Sequence, residues 1–199
     1  MSWISRLTLA AATGCALDTP GLVVDVAFVA PTTRTPVDGD GVAWTVEAAR
    51  VGLASVSLTP CPDDPLAAGP DARAPVDATV DLLAGSPGAS IAVPPGRWCA
   101  VRLEPRAIDA CEPACAWRVR LGPAGGVRDV SGLRVEAPEV VLPTALDVDR
   151  ARRYGSVDLA VDPAAWLDGV PTDATDDAVA GSLADRLLGS LVATPQESP

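Results

Sequence analysis

The chain has 199 residues, 15 basic against 26 acidic side chains and a net charge of −11; every cationic side chain is arginine because lysine and histidine are absent, and asparagine is absent too. Such a chain repels nucleic acid and an anionic lipid surface, so nucleic acid is not an expected partner. Without histidine there is no Ser-His-Asp or Cys-His catalysis, and without lysine no Ser-Lys dyad, Schiff base or phosphate-binding P-loop.

Length allows one domain with a real core. Hydrophobic residues make up 48% of the chain and aromatics 4%, which predicts an aliphatic core with a few tryptophans as large fillers. No apolar run approaches the roughly 18 residues needed to cross a bilayer.

Met1 to Arg6 is a basic start, Leu7 to Gly14 is apolar and small, and Cys15 follows, the order of a signal peptide. Ala12-Thr13-Gly14-Cys15 resembles the lipobox of bacterial lipoproteins, with Ala12 where that family usually has leucine. The resemblance implies that residues 1–14 are removed and that Cys15 carries lipid, with 15–20 as a short tether. It places the domain in the bacterial cell envelope, held to the outer membrane and facing the periplasm or cell surface. Loss of Arg6 leaves 14 − 26 = −12 on the mature part. The plainer reading makes residues 7–17 a first strand with Cys15 as a small hydrophobe.

From residue 21 to 193, turn residues every eight to fifteen positions separate short alternating runs, the pattern of a mostly β chain. The predicted fold is one antiparallel β-sandwich of about seven to nine strands with a C-terminal amphipathic helix. Leu22, Val24, Val26 and Phe28 share one face of a first strand. Asp38-Gly39-Asp40-Gly41 is a tight turn. Val42–Glu47 and Val51–Leu58 are two strands around a kink at Gly52, residues 60–75 a loop pinned at Cys61, and Val76–Leu83 a strand. Ile91–Val93 leads through Pro94-Pro95-Gly96 into Arg97–Leu103. There, alternation puts Cys99, Val101 and Leu103 in the core and Trp98, Ala100 and Arg102 outside. Ala116–Leu121, Leu133–Ala137 and Ser156–Val161 complete the strands. Asp176 or Asp177 caps a helix running to about Val192, with Val179, Leu183, Leu187, Leu188, Leu191 and Val192 on its apolar face. Residues 194–199 are a polar, disordered tail.

Cys61, Cys99, Cys111 and Cys115 are an even set in an exported chain, so two disulfides are expected. Of three connectivities, Cys61–Cys99 with Cys111–Cys115 is favoured, because Cys111-Glu-Pro-Ala-Cys115 is a turn able to join its own ends. The long link contributes roughly 4 kcal/mol and the short one about 2 in the chain-entropy model. A thiolate metal or redox site at Cys111 and Cys115 is the rival. It has no histidine to recruit, and Met1 is the only thioether.

Val93-Pro-Pro-Gly96-Arg-Trp98-Cys-Ala-Val101-Arg102-Leu103 resembles an element of exported bacterial sandwich domains of prealbumin-like and carbohydrate-binding-like type. It is also similar to the periplasmic copper-binding partner family of methanobactin systems, with Asp162-Pro-Ala-Ala-Trp166-Leu-Asp168-Gly169 as that family's late aspartate-tryptophan segment. Copper binding there leans on histidine, so no metal site is carried across and no cofactor is expected.

With Trp98 outward beside Arg97 and Arg102, these three and Trp117 form the candidate binding surface. Asp168, Asp173, Asp176 and Asp177, like Asp38 and Asp40, are oxygen donors of the kind calcium takes, without a full loop pattern. Helix capping and solvated turns are their more ordinary use. A glycosidase carboxylate pair would show only in space. The expectation is a non-catalytic, lipid-anchored accessory domain that contacts the membrane through its lipid and binds a protein partner. The alternative is a carbohydrate-binding module using exposed tryptophans.

Overall fold

The computed structural model describes residues 21–32, 43–64, 71–109, 111–123 and 126–197. Cys15, the signal-like stretch, the tether and the Asp38–Gly41 turn lie outside the described residues. Ten strands and one helix are seen among them: β1 Leu22–Phe28, β2 Trp44–Pro60, β3 Ala72–Asp81, β4 Ser86–Val93, β5 Gly96–Pro105, β6 Trp117–Pro123, β7 Arg128–Gly132, β8 Val140–Val148, β9 Tyr154–Ala160, α1 Asp176–Arg186 and β10 Val192–Glu197. The fold is mostly β, as the alternation predicts, with one strand more than the expected range.

Four strands form a sheet in the order β10-β9-β1-β4, and six form a second sheet in which β7-β6-β2-β5-β8 are joined by β3 on β2. The smaller sheet is not wholly antiparallel, because β1 and β9 run parallel with Val26 opposite Val157. A parallel neighbour needs a long crossover, and here every strand of the larger sheet lies between the two in sequence. Apolar side chains from both sheets and from α1, among them Val26, Leu58, Ile91, Leu146, Leu159 and Leu183, join one buried cluster. At Gly155 on β9 a Cβ would lie 3.1 Å from Leu146 of β8, so these two residues, one from each sheet, approach closely.

The two strands predicted around a kink at Gly52 are one strand of 17 residues. Its inward set is Trp44 and Val46, then Ala49, Val51 and Leu53, then Val56 and Leu58. Each gap of three is a register shift, at Val46/Ala48 against β6 and at Leu53/Ser55 against β3 and β5. One bulge turns a strand over, and a second restores its phase. Trp44 and Leu58 therefore share a face even though the strand between them is irregular.

Other boundaries also move. Residues 72–75 belong to β3 rather than to a loop, because Ala72–Pro75 pair with Ser55–Leu58. Leu133–Ala137 lies between β7 and β8 and joins no ladder. The helix stops at Arg186, and Thr175 caps it, its hydroxyl accepting from the Ala178 N–H while Asp176 and Asp177 sit in the first turn. Leu187, Leu188 and Leu191 are buried in the turn that follows. The tail is not disordered through Glu197: it is β10, paired antiparallel with β9 from Val192–Ala160 to Glu197–Gly155. An open sheet edge supplies the hydrogen-bond partners that a polar sequence does not advertise.

Candidate functional site

The predicted tryptophan surface is not present. Trp98 and Trp117 are each 1% exposed, and Trp44 and Trp166 are fully buried. Trp98 faces inward because β5 carries a bulge at Cys99, where the register against β8 shifts between Trp98 and Ala100. Gly96 and Trp98 point into the core before the bulge, and Val101 and Leu103 after it. The disulfide explains the bulge. Cys99 leaves the alternation to reach Cys61, just past the end of the neighbouring strand β2, with a Cα separation of 4.9 Å. The second bridge joins Cys111 and Cys115, so both disulfides have the favoured connectivity.

Arg97 and Arg102 do point outward, but each is engaged. Arg97 lies 3.4 Å from Asp63 and 3.5 Å from Asp147, and its N–H donates to Asp64 Oδ2 at 2.6 Å. Arg102 is near Asp71 and 3.5 Å from Glu139. They belong to a set of cross-strand pairs over the outer face of the larger sheet, which includes Arg120–Glu47, Arg118–Asp129 and Arg50–Asp81. Each such exposed pair is worth about 0–1 kcal/mol. Together they pair the arginines of this face with carboxylates.

Nor do the acidic candidates converge on a metal. Asp176 bonds to Arg128 at 3.2 Å, and Arg128 also donates to the carbonyls of Thr172 and Ala174. Asp177 sits in the first turn of α1, where a carboxylate favours the helix dipole. Asp168 and Asp173 are exposed in the connection before it. Among the described residues no group of three or more carboxylate, thiol or imidazole side chains is placed to hold an ion.

What the topology builds instead is a cleft. β6 pairs with β2 along Trp44–Val51, and β5 pairs with it along Leu53–Pro60, both on the edge away from β3. Gly52 stands at the changeover. Its N–H donates to Ala116 O and its carbonyl accepts from Arg106 N–H, each at 2.9 Å. A Cβ there would come within 2.4 Å of Arg106 O, so glycine is what allows the two strands to leave one edge back to back.

The sheet is therefore split beyond Gly52, and the 133–139 connection runs past the opening. A cleft of about 710 Å³ results, lined by Pro105, Arg106, Ala116, Leu133, Val135 and Ala184, with Arg134, Glu136 and Asp185 as charged members. The wall at 133–137 is held by two bonds, from Trp117 Nε1 to Arg134 O at 2.6 Å and from Glu136 N–H to Ala184 O at 3.0 Å. Leu133 is 68% exposed. Arg106 pairs with Asp109 at 2.8 Å, which raises its pKa and lowers that of Asp109 through their hydrogen bond. The Nε of Arg106 is buried without a partner among the described residues. Alternating Leu133, Arg134, Val135 and Glu136 gave the sequence signal for this wall, but as a strand; the opposite wall, with Arg106, carried none.

Comparison with protein-family models, with characterised proteins and with solved structures finds no match.

Proposed function

We propose that the chain is a non-catalytic, lipid-anchored protein of the bacterial envelope that holds an extended segment of a partner protein in the split-sheet cleft. The observation that carries the interaction is the wall itself: among the described residues, 133–137 presents an exposed leucine and main chain that joins no ladder, beside a buried Arg106 Nε donor with no partner. Extended peptides bind such edges by main-chain hydrogen bonds, with alternate side chains in adjoining pockets. Arg134 has no carboxylate partner among the described residues, which favours an acidic side chain on the bound segment.

The address rests on the lipobox-like Ala12–Cys15 and on the even set of downstream cysteines, which suits an oxidising compartment. A β-sandwich is the architecture that best accounts for two sheets sharing one core, and the Gly155–Leu146 approach supports it. The carbohydrate-module alternative loses its platform with Trp98 and Trp117 buried.

Two measurements test the reading. The mass of the Cys15-bearing fragment from membranes should show the diacylglyceryl addition, and Cys15→Ser should move the protein out of the membrane fraction. A displayed library of extended peptides panned on the full chain should yield binders that Leu133→Asp abolishes at unchanged melting temperature. Binders indifferent to that substitution would remove the cleft from consideration.

A further inference from the structure

The N-terminus of the described structure is fastened to one turn. Val23 on β1 donates its N–H to Arg153 O at 3.0 Å, and the same residue is aligned with Tyr154 across the parallel pair. The turn between β8 and β9 reads Asp149-Arg150-Ala151-Arg152-Arg153, with Tyr154 opening β9, and all six residues are exposed. Its charge is 3 − 1 = +2, in a chain of −11.

The turn is built to keep its one carboxylate occupied. Asp149 Oδ1 accepts from the N–H groups of Ala151 and Arg152 at 2.7 and 2.8 Å, and these amides hold its carboxyl below the usual range. Two acids beside the turn are also engaged: Asp147 with Arg97 and Arg152, and Asp25 with Ser90 and Tyr154. Arg150 and Arg153 have no carboxylate partner among the described residues, Arg153 using only Nε, on the carbonyl of Arg150.

Cys15 precedes Gly21 by six residues, a span of at most about 20 Å whatever its conformation. We propose that the β8–β9 turn is a second membrane contact, in which Arg150 and Arg153 bind the phosphates of anionic phospholipid headgroups and Tyr154 lies at the interface. The proposal rests on the lipid-anchor reading. Net charge does not forbid it, since charges more than a Debye length away, about 8–10 Å, are largely screened. Tyrosine suits the headgroup layer, with an apolar ring and a polar tip. The contact also fixes orientation: β5 runs from this pole at Gly96 to the cleft at Pro105, about 30 Å at strand rise. The cleft is held clear of the bilayer.

The test uses the intact, membrane-extracted chain inserted into preformed vesicles of phosphatidylcholine alone or with phosphatidylglycerol. Trypsin cleavage after Arg150, Arg152 and Arg153 is compared with cleavage after Arg134, the internal reference at the distant cleft. A headgroup contact contributes about fivefold per arginine, so about 25-fold for the pair. The turn-to-reference ratio should fall by up to that factor on anionic vesicles and recover in high salt. In Arg150→Gln/Arg153→Gln, cleavage after Arg152 should be indifferent to lipid. A protein retained on both vesicle types with the same ratio on each overturns the headgroup contact alone. A protein retained on neither overturns the anchor and the contact together.

Discussion

The phenol of Tyr154 on β9 donates a hydrogen bond to Oδ2 of Asp25 on β1 at 2.5 Å, while the other oxygen of Asp25 accepts from Ser90 on β4. One carboxylate thus ties three strands across the outer face of the smaller sheet. The bond to Asp25, then burial, raises the Tyr154 pKa above its usual value. A raised folded pKa means stability that is fully present below the unfolded value near 10 and is lost as pH rises through the folded one. Tyr154 is the only tyrosine, so phenolate absorbance reports it directly. The titration midpoint should lie above 10 and fall toward it in Asp25→Asn; an unchanged midpoint in that variant would separate the two residues.

Gly52 is the point on which the split sheet depends. Gly52→Ala places a methyl against main-chain oxygen rather than a movable side chain, with an expected cost of about 3 kcal/mol. Gly181→Ala is the counterpart, since its Cβ meets nothing within 4 Å and it sits within α1. That change should stabilise by about 0.5–1 kcal/mol. Urea denaturation of both variants checks the pair.

Trp98 and Trp117 are equally buried but differently satisfied. The indole N–H of Trp98 has no partner among the described residues, whereas that of Trp117 donates to Arg134 O. Replacement by phenylalanine should therefore cost about 1 kcal/mol more at Trp117 than at Trp98, the net worth of a hydrogen bond. Trp117→Phe should also loosen the cleft wall, visible as faster amide exchange at Val135 and Glu136.

The disulfides close loops of different size, with sequence separations of 38 and 4. Replacing Cys61 and Cys99 by alanine should lower stability by roughly 4 kcal/mol, and replacing Cys111 and Cys115 by about 2. A larger effect from the short bridge would indicate that it holds the cleft region in place, since Ile108 donates to Cys115 O at 2.7 Å.

For Asp149 the pH dependence runs the other way from that of Tyr154. Its lowered pKa means that its support for the β8–β9 turn is present above the unfolded carboxylate value and is lost as pH falls through the folded one. Protection of the Ala151 and Arg152 amides should fade in acid, and Asp149→Ala should show the unprotected rate at neutral pH.

Composition and period were enough to determine a mostly β chain, an aliphatic core and a helix opening near Asp176 and Asp177, and to favour the Cys61–Cys99 and Cys111–Cys115 pairs over the other two connectivities. These follow from local pattern: alternation, a turn able to join its own ends, and a run with helical spacing. The tertiary structure decided what local pattern does not encode. Alternation assigns faces only while the ladder is regular, and a bulge at Cys99 turned Trp98 inward, while two bulges in β2 cancelled and left Trp44 in phase with Leu58. Pairing depends on which edges are open, so residues 192–197 became a strand and Leu133–Ala137 did not. The cleft exists because β5 and β6 leave the same edge of β2 at Gly52, a relationship between residues far apart in the chain that only the assembled sheet can express.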